Sequence, residues 1–172
     1  GSAPRGAGAK MAVFQNGQAL GTIGGGAVER IAAQQAMDLF RTGASYCQAF
    51  CLAPNQVNDI GMICGGNVTV YFRFFDHTSA RDLELVKTIL ELLASGQDAW
   101  LVSRMEDGKI TAMGTFDEAH GLRFAELDET MLRPWLTSSA VYRKGEPSYY
   151  VEPISRAGRV YVFGGGHVGK AL

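Results

Sequence analysis

Two glycine-rich stretches near the start of this chain contain residue types that bind anions. They are GSAPRGAGAKM at 1–11 and GTIGGGAVE at 21–29, and the second runs directly into a helical pattern. Glycines at the start of a helix turn backbone N–H groups outward, where these groups and the helix dipole attract negative charge. One interpretation is therefore an anion-binding site at Gly24, Gly25 and Gly26, with Glu29 in the first turn of the helix.

The glycine triplet also fits a purely structural interpretation, a tight strand-to-helix turn in which Glu29 caps its own helix. The physics of the turn alone does not choose between the two. Arg5 favours anion binding, because a guanidinium beside exposed amides suits a phosphate group.

A third stretch, GMICGG at 61–66, contains a cysteine. Cys64 lies directly before Gly65 and Gly66, in a connection rather than within a strand. Backbone N–H groups beside a thiol lower its pKa and favour the thiolate. Cys64 is therefore a candidate for a thiol role, and the alternative is a small buried residue at a turn.

The fourth stretch, VYVFGGGHVG at 160–169, joins an apolar strand to a glycine turn and the start of a helix. A Rossmann-like domain binds the pyrophosphate of a dinucleotide with this arrangement. The alternative is a glycine turn in an unrelated α/β unit. The nucleotide hypothesis predicts NAD(P) binding at Gly164, Gly166, His167 and Gly169.

The composition excludes several classes of protein. The chain has 172 residues, 47% of them apolar, enough for one sound core. A net charge of −1 gives no long-range field that would recruit nucleic acid or an anionic membrane. The sequence contains no run of 18 apolar residues, which is about the length that a membrane-spanning helix needs. Three cysteines without the spacing of a disulfide framework favour a cytoplasmic location.

Cys47 and Cys51 lie on one face of a predicted strand. Four residues along a strand separate their Cα atoms by about 13 Å, too far for a disulfide or a shared metal ion. We interpret both as buried structural cysteines. The three histidines are scattered without the spacing of metal ligands.

The remaining pattern alternates short strands with amphipathic helices. Turn signals predict hairpins at 16–17, 106–109 and 144–145, and apolar periodicity predicts helices over 27–40 and 80–94. We expect an α+β or mixed α/β domain with a largely antiparallel sheet over residues 1–155. Residues 156–172 are expected to form the first strand and glycine loop of a truncated Rossmann-like domain.

The second helix is expected to begin at the N-cap Ser79 and to end at Gly96. Its apolar residues recur at helical spacing and predict one buried face. That face comprises Leu83, Val86, Ile89, Leu90 and Leu93.

The four glycine-rich motifs, in this order, resemble the XdhC/CoxI family, the accessory factors of xanthine dehydrogenase and related molybdenum hydroxylases. The resemblance spans nearly the whole chain, including EPISRAGRVYVFGGGHVG at the domain junction. It implies a cytoplasmic, often dimeric protein that binds molybdenum cofactor, protects it during sulfuration and hands it to the apo-hydroxylase. It also implies a cysteine desulfurase as a partner. The cofactor would be molybdopterin or its nucleotide form, and the resemblance places around it Arg5, the glycine triplet, Glu29 and the Cys64-Gly65-Gly66 segment.

The chain departs from this family in two respects. Many relatives carry a cysteine after the glycine triplet, where this chain has Ala27, so a thiol relay would depend on Cys64 alone. Relatives also have a strand before the GSAPR motif, at which this sequence begins. The function expected first is that of a cofactor chaperone rather than an enzyme. The alternatives are an NAD(P)-binding oxidoreductase and a structural subunit whose glycines only make turns.

Overall fold

The computed structural model describes residues 7–51 and 67–155, which form a mixed α/β fold. The helices are α1 (Gly26–Thr42), α2 (Ala80–Ser95) and α3 (Glu129–Leu132), which continues into a 3₁₀ turn (Arg133–Trp135). The strands are β1 (Met11–Val13), β2 (Ala19–Gly21), β3 (Tyr46–Cys51), β4 (Asn67–Phe72), β5 (Ala99–Glu106), β6 (Lys109–Asp117), β7 (Gly121–Arg123), β8 (Val141–Arg143) and β9 (Ser148–Ser155).

All the strand pairs in the described residues are antiparallel. β1 pairs with β2, β3 pairs with β4, and a five-stranded sheet has the order β7-β6-β5-β9-β8. The predicted mixed α/β class and antiparallel sheet are confirmed. The predicted strand and glycine loop of the Rossmann-like domain lie outside the described residues.

Local turn chemistry produces the predicted hairpins. The Asn16 Oδ1 atom accepts a hydrogen bond from the Gln18 amide at 3.0 Å, and Gly17 adopts a φ of 81°. Between β5 and β6, Asp107 and Gly108 have φ values of 49° and 70°. Two successive positive φ values match the twist of the flanking strands, so this turn suits a two-residue hairpin.

α1 covers the β3–β4 hairpin with one apolar stripe. Val28 packs near Phe50, and Ala32 and Leu39 pack near Phe72. The helix ends where Gly43 adopts a φ of 65° and donates its amide to the Leu39 carbonyl at 2.7 Å. A left-handed glycine satisfies a free helix-end carbonyl in this way.

The five-stranded sheet has an apolar core on each face. On the face that α2 covers, the core comprises Leu85 of α2 together with Leu101, Met105, Ile110 and Met113 of the sheet. On the opposite face, the core comprises Trp100, Val102, Phe116, Leu132 and Val151. The β3–β4 hairpin joins the sheet through the Cys47 amide, which donates to the Gly108 carbonyl at 2.8 Å.

The predicted buried face of α2 is wrong. Leu83, Val86, Leu90 and Leu93 are exposed, and only Ile89 of the predicted set packs against the core. The residues that α2 buries are Asp82, Leu85, Thr88 and Leu92.

A partly buried ion pair explains this rotation of α2. The Arg73 Nη2 atom donates to the Asp82 Oδ1 atom at 2.7 Å, and the Asp76 amide donates to the other Asp82 oxygen at 2.9 Å. These bonds hold the first turn of α2 with Asp82 inward, so Leu85 and Leu92 follow it to the sheet. Ser79 caps the helix as predicted, accepting from the Asp82 amide at 3.3 Å.

Within the residues described, no helix is both long enough and apolar enough to cross a membrane.

Candidate functional site

The glycine triplet forms the turn that leads into α1. Gly24, Gly25 and Gly26 have φ values of 131°, 78° and 69°. An added Cβ at Gly25 would meet nothing within 4 Å, so its backbone conformation, not a lack of space, favours glycine there.

The carboxylate of Glu29 lies against this turn. Its Oε2 atom accepts hydrogen bonds from the Ile23 amide at 3.0 Å, from the Gly25 amide at 2.9 Å and from the Thr22 hydroxyl. The Thr22 hydroxyl and the Gly25 amide hold the pKa of Glu29 below its usual value. Glu29 thus provides the negative charge that these donors bind, and its assignment to a ligand stays a prediction.

The described residues include only part of the predicted site. They bring together Gly24, Gly25, Gly26 and Glu29 in one turn. The other predicted site residues lie outside the described ranges: Arg5, Cys64, Gly65, Gly66, Gly164, Gly166, His167 and Gly169.

A cavity of about 410 Å³ lies beside β9, beyond its last pair with β8. Two residues of the first glycine-rich motif form one part of its wall, and the segment before β8 forms another. The lining residues are Ala7, Gly8, Ser138, Ser139, Ala140, Glu152 and Pro153.

Glu152 is the buried charged group of this cavity. Its Oε2 atom accepts a hydrogen bond from the Lys10 Nζ atom at 3.0 Å, and Glu152 is only 7% exposed. Lys10 Nζ also donates to the Gly8 carbonyl at 2.8 Å. Gly8 has a φ of 93°, and an added Cβ would lie 3.2 Å from Glu152 Oε2. The motif therefore needs a glycine where it contacts the carboxylate.

Burial controls the electrostatics around Glu152. Burial raises the pKa of Glu152, and the charge and hydrogen bond of Lys10, together with a hydrogen bond to the Tyr150 side chain, only partly oppose that effect. Burial, followed by the nearby Glu152 charge, also raises the pKa of Tyr150. The Tyr150 ring stacks on Tyr71 with centroids 5.1 Å apart, which fixes this end of β9 in place.

Lys10 links the cavity to the glycine-triplet turn. Its carbonyl accepts a hydrogen bond from the Thr22 amide at 3.0 Å, and Thr22 in turn contacts Glu29. Sequence reasoning missed Lys10 and Glu152 as a pair, since 142 positions separate them. One signal was available: Glu152 is an acidic residue in the otherwise mostly apolar strand β9.

A second buried carboxylate, Asp117, serves the β6–β7 turn. It accepts from His120 Nδ1 and from Arg123 Nη2, each at 2.8 Å, and from the amides of Ala119 and His120, each at 3.1 Å. These hydrogen bonds give Asp117 a structural role in holding the turn together. In the part of the chain that the structure describes, no group of three His, Cys, Asp or Glu residues could hold a metal ion.

Cys47, expected to be buried, is partly buried and packs against the core of the five-stranded sheet. Its Sγ atom lies 3.8 Å from the Met105 Sδ atom, and burial raises the pKa of the Cys47 thiol to about 11. A thiol of this kind is a poor nucleophile at neutral pH.

These features define a class of protein, a mixed α/β domain in which a glycine-rich loop is joined to an antiparallel sheet by a lysine–carboxylate pair. The fold is similar to that of a solved xanthine dehydrogenase from Bacillus halodurans, with a TM-score of 0.66 and 17% sequence identity. The match covers 91% of this chain and 46% of that one, so this chain spans less than half the length of the solved protein.

The sequence of the first loops is similar to that of a known family. Residues 1–50 match the model of the XdhC and CoxI family. This range includes the first two glycine-rich motifs, and the resemblance to that family is confirmed there. No curated protein sequence matches the chain.

Proposed function

We propose that this chain is an accessory factor that binds molybdenum cofactor and assists its sulfuration and its insertion into a xanthine dehydrogenase-type hydroxylase. The match of residues 1–50 to the XdhC and CoxI family carries the proposal. The likeness in fold to a protein named xanthine dehydrogenase is consistent with it. The proposed partners are the hydroxylase, a cysteine desulfurase and a second copy of this chain.

The described residues fit the organic part of such a cofactor better than its phosphate group. At the triplet turn, the Ile23 and Gly25 amides already donate to Glu29, so they do not form an open phosphate cradle. In the cavity wall, Glu152 supplies carboxylate oxygens and Ser138 and Ser139 are further polar residues, while Lys10 binds the Glu152 carboxylate. These wall residues would hold the organic part, while the bound metal would supply the redox centre that the hydroxylase uses.

The test is to purify the protein from cells with intact pterin synthesis and to measure oxidised pterin by fluorescence. The proposal predicts pterin in about equimolar amount with the protein. An absence of pterin both from this chain and from a longer form of the protein would reject the proposal.

The proposed thiol role of Cys64 needs its own variant. Cys64→Ser is expected to retain the cofactor but to lower the yield of active hydroxylase in a reconstitution assay. Cys51→Ser is a matched control, because it removes a thiol that we do not place in the mechanism. Normal activation by Cys64→Ser would remove Cys64 from the proposal.

The alternative of an NAD(P)-binding oxidoreductase depends on Gly164, Gly166, His167 and Gly169, which lie outside the described residues. It predicts tight binding of NAD(P) without bound pterin. A titration with NADPH, followed by fluorescence, distinguishes it from the first proposal.

A further inference from the structure

We propose that a second copy of this chain covers the exposed apolar face of α2, in a pair of antiparallel helices related by a twofold axis. This outer stripe of α2 consists of Leu83, Val86, Leu90 and Leu93. The inference rests on the proposed function in one respect, the second copy among its partners. It deepens that proposal by naming the surface through which the two copies meet.

α2 is apolar on two sides, and the described residues cover only one of them. Leu85 and Leu92 are buried on the side of the five-stranded sheet. The outer stripe is exposed, and Leu90 is exposed to 60%. A surface helix carries polar residues on its outer side, whereas a helix that is apolar on both sides is normally covered on both. Four large apolar side chains in one row therefore indicate a surface that another element covers.

The spacing of the outer stripe favours a second copy as that element. Its residues follow one another at steps of three, four and three positions, which read the same in both directions about Thr88. A twofold axis at that position sets Leu83 level with the partner's Leu93. It likewise sets Val86 level with the partner's Leu90. A twofold interface needs such a self-complementary patch, and alternating steps of three and four form the apolar seam along which two helices pack.

The charges beside the outer stripe permit this pairing. Glu84, Lys87 and Glu91 are exposed there. With the axis at Thr88, residue 87 lies level with residue 89 of the other copy, so about 3 Å of helix rise separates Lys87 from the level of the partner's Glu91. The long lysine side chain spans that distance. A second copy therefore brings an opposite charge within reach of each lysine, although such a surface pair contributes little energy.

The size of the contact sets the expected affinity. One face of the 16-residue helix α2 is about 24 Å long and about 10 Å across. This footprint is smaller than the roughly 800 Å² that each partner contributes to a standard interface. We therefore expect a weak dimer with a dissociation constant on the order of 100 µM. In sedimentation velocity between about 5 and 500 µM, the mean mass should rise from that of one chain toward that of two.

Leu90→Lys tests the centre of the outer stripe. Burial of an ammonium group in an apolar contact is unfavourable, so we expect this variant to weaken the dimer at least tenfold. Leu20→Lys is the matched control, because Leu20 is 70% exposed and lies on β2 rather than α2. It should change the dissociation constant by less than about twofold. Circular dichroism checks the folding of both variants.

Cysteine cross-linking tests the antiparallel register and does not depend on that variant. Leu83→Cys and Leu93→Cys chains should form a disulfide with each other when they are mixed at high concentration and oxidised. Neither should link to a copy of itself, since the helix separates the two positions by about 15 Å, beyond the reach of a disulfide. Peptide mapping by mass spectrometry distinguishes this disulfide from any that involve the native cysteines.

A chain that stays monomeric across this range of concentration, a dimer that Leu90→Lys leaves intact, or a disulfide between two Leu83→Cys chains would each overturn the inference. So would a longer, monomeric form of the protein that protects Leu90→Cys from iodoacetamide, because its own residues would then cover the stripe. Pterin content tests the function separately. If the chain carries pterin but stays monomeric, the interface is wrong and the function stands. If the chain dimerises through α2 but carries no pterin, the interface stands and the function is wrong.

Discussion

Glu29 and Glu152 are acidic residues whose surroundings shift their pKa values in opposite directions. Three donors converge on one oxygen of Glu29 at the mouth of α1, and they favour its charged form. Glu152 is buried in a cavity wall with Lys10 as its charged partner, and burial favours its neutral form. Glu29 therefore stabilises its own turn, whereas Glu152 is the buried acidic residue in the wall of the cavity.

Asp117 predicts a pH dependence of stability. Burial alone would raise the pKa of Asp117, but the hydrogen bond and charge of His120, the charge of Arg123 and the Ala119 amide outweigh it and hold this pKa below its usual value. A carboxylate with a depressed folded-state pKa contributes stability above its unfolded value of about 3.9, and this contribution is lost as the pH falls through the folded value.

Asp117→Asn is therefore expected to be less stable than the unmodified chain at pH 7, and the difference should shrink below about pH 4. Urea unfolding at several pH values between 3 and 7 measures this difference. Glu84→Gln controls for the loss of one negative charge on an exposed surface. A difference that stays constant across this range would contradict the assigned role of Asp117.

At the scale of the elements, local signals determine where helices and turns begin and end. The Asn16-Gly17 turn, the Ser79 cap and the left-handed Gly96 all lie where the sequence predicts them. These features depend on neighbouring residues, so a sequence contains them directly. The short strand β7 was not predicted, because its pairing with β6 gives no comparable local pattern.

The buried face of α2 could not be deduced in the same way. Two leucine-containing stripes on this helix both have helical spacing, and periodicity alone does not say which one meets the sheet. The choice depends on Arg73, which comes from the segment after β4 and pairs with Asp82. A contact between separate elements thus decides the rotation of the helix.

The first test of this rotation compares two leucines of α2. Leu85→Ala is expected to lower the free energy of unfolding by about 3 kcal/mol, since Leu85 is 1% exposed and its removal leaves a cavity. Leu90→Ala should change it by less than about 0.5 kcal/mol, because Leu90 is 60% exposed. Urea denaturation of both variants gives the comparison. Equal losses of free energy in the two variants would support the buried face that the sequence predicted instead.

The second test removes the ion pair. Asp82→Ala should lower the free energy of unfolding by about 2–3 kcal/mol, because it leaves Arg73 without its carboxylate partner. The loss would be larger for a fully buried pair, but the Arg73 side chain is 25% exposed. Asp38→Ala is the matched control, since its pair with Arg41 is on the surface and should contribute less than about 1 kcal/mol. Chemical denaturation measures both, and similar values for the two variants would show that Asp82 does not fix α2.

At the scale of the whole molecule, contacts between residues far apart in sequence join the separate pieces of sheet. The Cys47 amide connects the β3–β4 hairpin to the β5–β6 turn through Gly108. Lys10 connects the N-terminal hairpin to β9 through Glu152. Local sequence patterns do not pair the residues of either contact, which is why the sequence predicted the elements and the glycine turn but not the cavity. The candidate site forms only when these pieces assemble.

Cys47 offers a direct measurement of that assembly. Burial raises its pKa to about 11, so its thiolate at pH 8 is scarce compared with that of an ordinary thiol. The higher intrinsic nucleophilicity of a more basic thiolate offsets part of this loss. We expect iodoacetamide to alkylate Cys47 roughly 10- to 100-fold more slowly in the folded protein than in urea. Peptide mapping by mass spectrometry follows Cys47 separately from the other cysteines. Lys10→Met is the control and should leave this protection intact, because Lys10 joins a different hairpin to the sheet. Rapid alkylation of the folded, unmodified protein would show that the β3–β4 hairpin does not stay docked on the five-stranded sheet.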